Sequence, residues 1–121
     1  MYRYYNPNPS KIHVGDCVIR ALTVAIDGTW DEAFMALMVK AYQFKDMPSS
    51  NAVWGSLLTD MGYDRYMMAD FISVREFAEH NQKGTYILAT GTHVLALVNG
   101  EYLDTWDSGD EIPIYFFTKE E

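Results

Sequence analysis

The chain has 121 residues, 49% hydrophobic and 15% aromatic, which suits one domain with one core, spanning residues 1–121, and is too short for two ordinary ones. Its formal net charge is −8, with nine Lys and Arg against 17 Asp and Glu, so the basic footprint of a phosphate-backbone binder is missing and nucleic acid is not an expected partner. Apolar runs such as "FMALMV" at 34–39 and "VLALV" at 94–98 fall far short of the roughly 20 residues that cross a bilayer, and "MYRYYNPNPS" carries no basic-then-apolar signal. The expectation is a soluble, cytoplasmic protein with no membrane partner, and the single cysteine, which rules out an internal disulfide, fits a reducing compartment.

The opening "MYRYYNPNPSKIHVG" is rich in Tyr, Asn and Pro, and its Asn-Pro steps predict an irregular arm. From Cys17 the apolar residues Val18, Leu22, Ala25 and Ile26 lie at helical spacing, and Asp27-Gly28 ends the segment. Thr29 and Glu32 form a capping box ahead of a second helix over 31–43. After the connection "KDMPSS" at 45–50, Val53, Trp54, Leu57, Leu58 and Met61 give a third helical pattern stopped by Gly62. Ser73 and Glu76 cap a short fourth helix, "VREFAEHN".

Beyond Gly84 the period changes. "TYILAT", "HVLALV", "EYLDTW" and "IPIYFF" are short β-branched and aromatic runs separated by turn residues. The fold class expected is α+β, with N-terminal helices packed on a C-terminal antiparallel sheet. Trp30 and Trp54 read as core anchors, and Met35, Met38, Met67 and Met68 as core filling.

Asn99-Gly100 between two alternating runs predicts a tight hairpin, because both central residues of the favoured turn need positive φ. A two-residue loop sets Val98 opposite Glu101, Leu97 opposite Tyr102 and Leu95 opposite Asp104. By parity His93, Leu95, Leu97, Tyr102, Asp104 and Trp106 then share one face, and Asp107 points to the other. His93 and Asp104 come within side-chain reach.

That juxtaposition suggests chemistry. A general-base imidazole needs a partner on its second ring nitrogen, and a carboxylate supplies one. A thiolate is favoured at a helix N-terminus, the position of Cys17, and favoured further by a neighbouring imidazolium. Nucleophile, base and orienting acid are thereby all present.

"GDCVIRAL" and "GTHVLALVNGEYLDTWDSGD" resemble the two halves of the papain-like cysteine peptidase superfamily in its minimal bacterial and bacteriophage forms. The resemblance lies in the order and spacing of the whole chain. It implies a papain-like fold without cofactor or metal, a peptide or protein substrate, Cys17 as nucleophile, His93 as general base and Asp104 as the third member. Trp106 would shield the His93–Asp104 pair and border the substrate. The family's usual oxyanion Gln, six residues before the nucleophile, is replaced by Lys11, so an amide from Asn8, or else Asn6, is expected to serve instead. Asp16, beside Cys17, adds a charge that opposes the thiolate unless it points away.

Other readings compete. Cys17 suits a buried core position, Asp104, Asp107 and Asp110 a calcium loop without its terminal Glu, and His13, Cys17 and His93 a sparse zinc site. Tyr2, Tyr4 and Tyr5 either line a groove or pack the arm down. The leading expectation is a thiol hydrolase: a peptidase, amidase or deconjugating enzyme forming an acyl-enzyme. The alternative is a non-catalytic interaction or inhibitor protein on a degenerate peptidase scaffold. Oligomeric state is open.

Overall fold

The computed structural model describes residues 1–119; the last two residues of the domain expected over 1–121 lie outside them. In chain order the elements are β1 (Tyr2–Tyr4), α1 (Cys17–Ala25), α2 (Trp30–Phe44), α3 (Asn51–Asp60), β2 (Asp64–Met67), α4 (Val74–His80), β3 (Thr85–Ala89), β4 (Val94–Val98), β5 (Glu101–Asp104) and β6 (Tyr115–Thr118). The class is α+β, and no helix is long and apolar enough to cross a membrane among the described residues.

Local chemistry explains the helix starts. Thr29 accepts from the Glu32 N–H while Glu32 reaches back to the Thr29 N–H, and Ser73 and Glu76 repeat the device at α4. Helix α2 presents Ala33, Leu37 and Ala41 to the core, residues four apart on one stripe. Met35 lies off that stripe and is 60% exposed, and Met67 is 62% exposed, so neither fills the core as expected. Trp54 is buried, stacked on Tyr115 and edge-on to Phe117. Trp30 is only half-buried, stacked on Phe34.

The six strands form one sheet in the order β1-β5-β4-β3-β6-β2. It is mixed rather than wholly antiparallel, because β1 joins the free edge of β5 in parallel, Tyr2 beside Tyr102 and Tyr4 beside Asp104. The arm predicted to be irregular thus begins as an edge strand, and "DRYM" forms the opposite edge, paired with β6. The Asn99-Gly100 hairpin has the predicted register, Val98 opposite Glu101 and Leu97 opposite Tyr102, with φ of 48° and 83° at its two central residues.

Helices cover both faces of the sheet. Ile87, Ala89, Val94, Ala96 and Phe117 pack with α1, α2 and α3, whereas Leu88, Leu95, Leu97 and Tyr102 pack with α4 on the other face. Apolar residues therefore succeed one another without a polar gap in "VLALV", since a strand covered on both sides has no solvent face. Strand alternation converts one hairpin into two half-cores. One end of the sheet gathers the start of β4, the ends of β3 and β5, and the start of β6. The candidate site lies there.

Candidate active site

Cys17 is the first residue of α1, where backbone N–H groups lack intrahelical partners. The preceding Asp16 makes no capping bond. Its carboxylate is occupied elsewhere, accepting from Arg20 Nη1 at 2.5 Å and from Trp30 Nε1 at 2.9 Å. The charge that seemed to oppose a thiolate is thus neutralised, and the first-turn N–H groups stay uncapped.

Arg20, one turn along α1, also donates from Nη2 to Asp104 Oδ1 at 3.1 Å. Asp104 is 1% exposed. Its other oxygen receives His93 Nε2 and the Ser108 hydroxyl, each at 2.6 Å, and the Thr105 N–H bonds Oδ1 at 2.9 Å. Every lone-pair direction of this buried carboxylate is thereby used, as its burial requires. Its backbone carbonyl accepts from the Tyr5 N–H at 2.8 Å and the Tyr2 hydroxyl at 3.2 Å, so these two tyrosines hold down the rim of β5.

With Nε2 engaged by Asp104, Nδ1 is the ring nitrogen His93 has left for the thiol of Cys17. Burial resists the charged imidazole, but hydrogen bonding to Asp104 and to Cys17 outweighs it and raises His93 to about 9. Burial likewise resists the thiolate, yet the His93 hydrogen bond, the Val94 N–H and the positive charges of His93 and Arg20 bring the Cys17 pKa below its ordinary value. Burial also pushes Asp104 up, and the bonds from His93 and Ser108 more than reverse it. Both shifts act in the same sense, favouring a thiolate facing an imidazolium held by a carboxylate.

Cys17 opens on two adjoining hollows. One, of about 220 Å³, is lined by Cys17, Val18, Ser49, Asn51, Trp54 and the β3–β4 turn from Ala89 to Val94, His93 included. The other, of about 150 Å³, runs from Gly15 to Ile19 and under Leu37, Pro48 and Ser49. Cys17 is therefore half-buried with an open side, not sealed in the core. Comparison with protein-family models, curated proteins and solved structures gives no match. What the site can do rests on its own geometry.

The sequence expectations fall out unevenly. Cys17, His93 and Asp104 come together. Trp106 lies against His93, ring centroids 5.3 Å apart, and is 47% exposed. Asn8 takes a different place: it is buried in the arm, its Oδ1 accepting from the Ser10 N–H at 2.8 Å, and it lines neither hollow beside Cys17. Asn6 and Lys11 are tied to one another there, Lys11 Nζ donating to the Asn6 carbonyl at 3.0 Å.

Face parity also needs correcting at the sheet's end. Leu95, Leu97 and Tyr102 share the α4 face as predicted, but His93 and Asp104 meet residues of α1, which packs on the other one. His93 precedes the first residue of β4, and Asp104 is the last residue of β5, laddered to Tyr4 of β1 alone, so alternation loses its hold at this corner. The same reason overturns the expectation for Asp107, which accepts from the Tyr102 hydroxyl at 2.8 Å. The acids read as a calcium loop are occupied separately: Asp104 as above, Asp107 also by the Gly109 N–H, and Asp110 by Arg75. No cluster of three or more His, Cys, Asp or Glu is placed to hold a metal among the described residues.

Arg20, Ser108, Ser49 and Asn51 went unnoticed in the sequence. Arg20 had a signal, lying three residues after Cys17 and four after Asp16 within one predicted helix. For the other three no local pattern exists, because they reach the site only through tertiary folding.

Proposed function

We propose that this chain is a thiol hydrolase of papain-like type, a peptidase, amidase or deconjugating enzyme, working on a peptide or protein through Cys17, His93 and Asp104. The observation carrying the reading is the continuous array from a helix-start thiol, through one imidazole, to a buried carboxylate, open on one side to a cleft. A thiolate next to an imidazolium is the reactive form of such a nucleophile. The Cys17 sulfur adds to a carbonyl carbon, and His93 delivers its proton to the departing amine. Water then adds to the thioester with His93 taking a proton, and cleavage of the C–S bond restores the thiol pair. Asp104 keeps the ring oriented and its charge compensated. A Cys-bearing first helix packed on a sheet that carries the His and Asp is compatible with a papain-like fold.

The test is the rate of Cys17 alkylation by iodoacetamide across pH, read by mass spectrometry. Below the ordinary thiol value of about 8.5 wild type is expected to react faster than His93→Ala, which loses the hydrogen bond and the charge that lower the Cys17 pKa. An alkylation profile indifferent to His93 would favour the second reading, a non-catalytic interaction protein on a peptidase-like scaffold. The position of Asn8, away from the cleft, is the observation on that side.

A further inference from the structure

The reading above leaves unanswered what stabilises the oxyanion that forms when a thiolate adds to a carbonyl. Removing one such donor typically costs about 10²–10³ in rate. Asn8 and Asn6 are engaged in the arm, and Lys11 donates to a backbone carbonyl. A donor has to come from the walls of the cleft itself.

Asn51, the first residue of α3, stands in the lining of the hollow that holds Cys17 and His93. Its side-chain amide has a fixed sense. The Trp54 indole Nε1 lies 3.1 Å from Asn51 Oδ1, and an indole nitrogen only donates, so the amide atom facing it has to be the oxygen. The NH₂ group is turned the opposite way, and it has no protein partner among the described residues. The indole giving this orientation is itself held rigidly, 1% exposed, with its ring parallel to Tyr115 within 7° and at 61° to Phe117. Across the cleft, the first-turn N–H groups of α1 are free of a side-chain cap because Arg20 and Trp30 hold the Asp16 carboxylate.

We propose that the Asn51 amide NH₂ is the side-chain donor of an oxyanion site, paired with the Cys17 backbone N–H, and that Trp54 is its positioning residue. This rests on the thiol-hydrolase reading. In the step concerned, the Cys17 Sγ–carbon bond forms and the carbonyl π pair moves onto oxygen, where Asn51 Nδ2–H and the Cys17 N–H receive it. On collapse that pair re-forms the C=O, and the bond to the leaving group breaks with its electrons. The donor comes from a helix more than thirty positions after the nucleophile, not from the arm before it. Its substrate is any acyl compound whose carbonyl oxygen enters between α1 and α3.

The experiment compares two reactions of the same thiol. Acylation by p-nitrophenyl acetate passes through an oxyanion and releases p-nitrophenolate, which leaves as an anion and is read as a burst. Alkylation by iodoacetamide is a displacement at saturated carbon and forms no oxyanion. Asn51→Ala and the bulkier Asn51→Leu are expected to slow the burst by about 10²–10³, while alkylation stays within about twofold of wild type. Asn51 is exposed, and thermal melts verify that both variants fold. A wild-type burst no faster than the variants', or equal losses in both reactions, overturns the assignment. Failure of the underlying reading looks different: alkylation of the wild-type thiol is then insensitive to His93→Ala, whatever Asn51 does.

Discussion

At the scale of single residues, the site is a chain of charges in which each member is affordable only because of its neighbours. His93 is raised to about 9, with hydrogen bonds to Asp104 and Cys17 overriding a burial that acts the other way. Replacing Asp104 by Asn removes the negative partner and leaves the burial, so His93 is expected to fall toward or below the ordinary value of about 6.5, as followed by NMR of the ring. Arg20 bridges two carboxylates while its own side chain is 8% exposed. Arg20→Ala leaves Asp16 buried without its cation and Asp104 with His93 as its only one, a loss on the order of 3–5 kcal/mol, measurable by urea denaturation. The fall is expected to be smaller when Asp104→Asn is present as well, since one of the stranded charges is then gone. These residues also mark the limits of reading ahead. Cys17, His93 and Asp104 were legible as neighbours because a thiol at a helix start and an NG hairpin with defined register are local signals. Asn51 and Ser108 were not, because nothing near them in sequence says which atoms they will face.

Elements were legible in proportion to how local their causes are. Capping boxes at Thr29 and Ser73 and the turn at Asn99-Gly100 fix their own geometry, and the structure has all three where the sequence puts them. Thr29→Ala is expected to cost about 0.5–2 kcal/mol, read as a lower urea midpoint with an unchanged slope. The edge strands were missed for the opposite reason. Strand β2 is exposed along its whole length and shows no buried alternation, while β1 owes its extended form to a parallel partner about a hundred residues away. The two helices that meet at the cleft have separate duties. Helix α1 brings the thiol and, through Arg20, the link to β5; α3 brings the rigid indole and the amide it orients.

For the molecule as a whole, the thiol and imidazole leave a signature in stability against pH. The raised His93 stabilises the native state fully below the unfolded value of about 6.5 and loses that contribution as pH rises through about 9. The lowered Cys17 does the converse, contributing fully above the unfolded thiol value of about 8.5 and losing it as pH falls through its depressed folded value. Between about 6.5 and 8.5 the falling contribution of His93 is opposed by the rising contribution of Cys17, so unfolding free energy declines less than His93 alone would make it. In Cys17→Ser only the imidazole remains, and stability is expected to decline more steeply through the same interval. Such a contrast belongs to the whole fold, because the two groups are brought together only when α1 packs on the sheet.

The measurement closest to the heart of this account is the ultraviolet absorbance of the thiolate near 240 nm, titrated from acid to alkaline pH as wild type minus Cys17→Ser. A thiolate transition below the ordinary thiol value, moving to higher pH in His93→Ala, is the predicted result. A single transition at the ordinary thiol value, the same with and without His93, would contradict it.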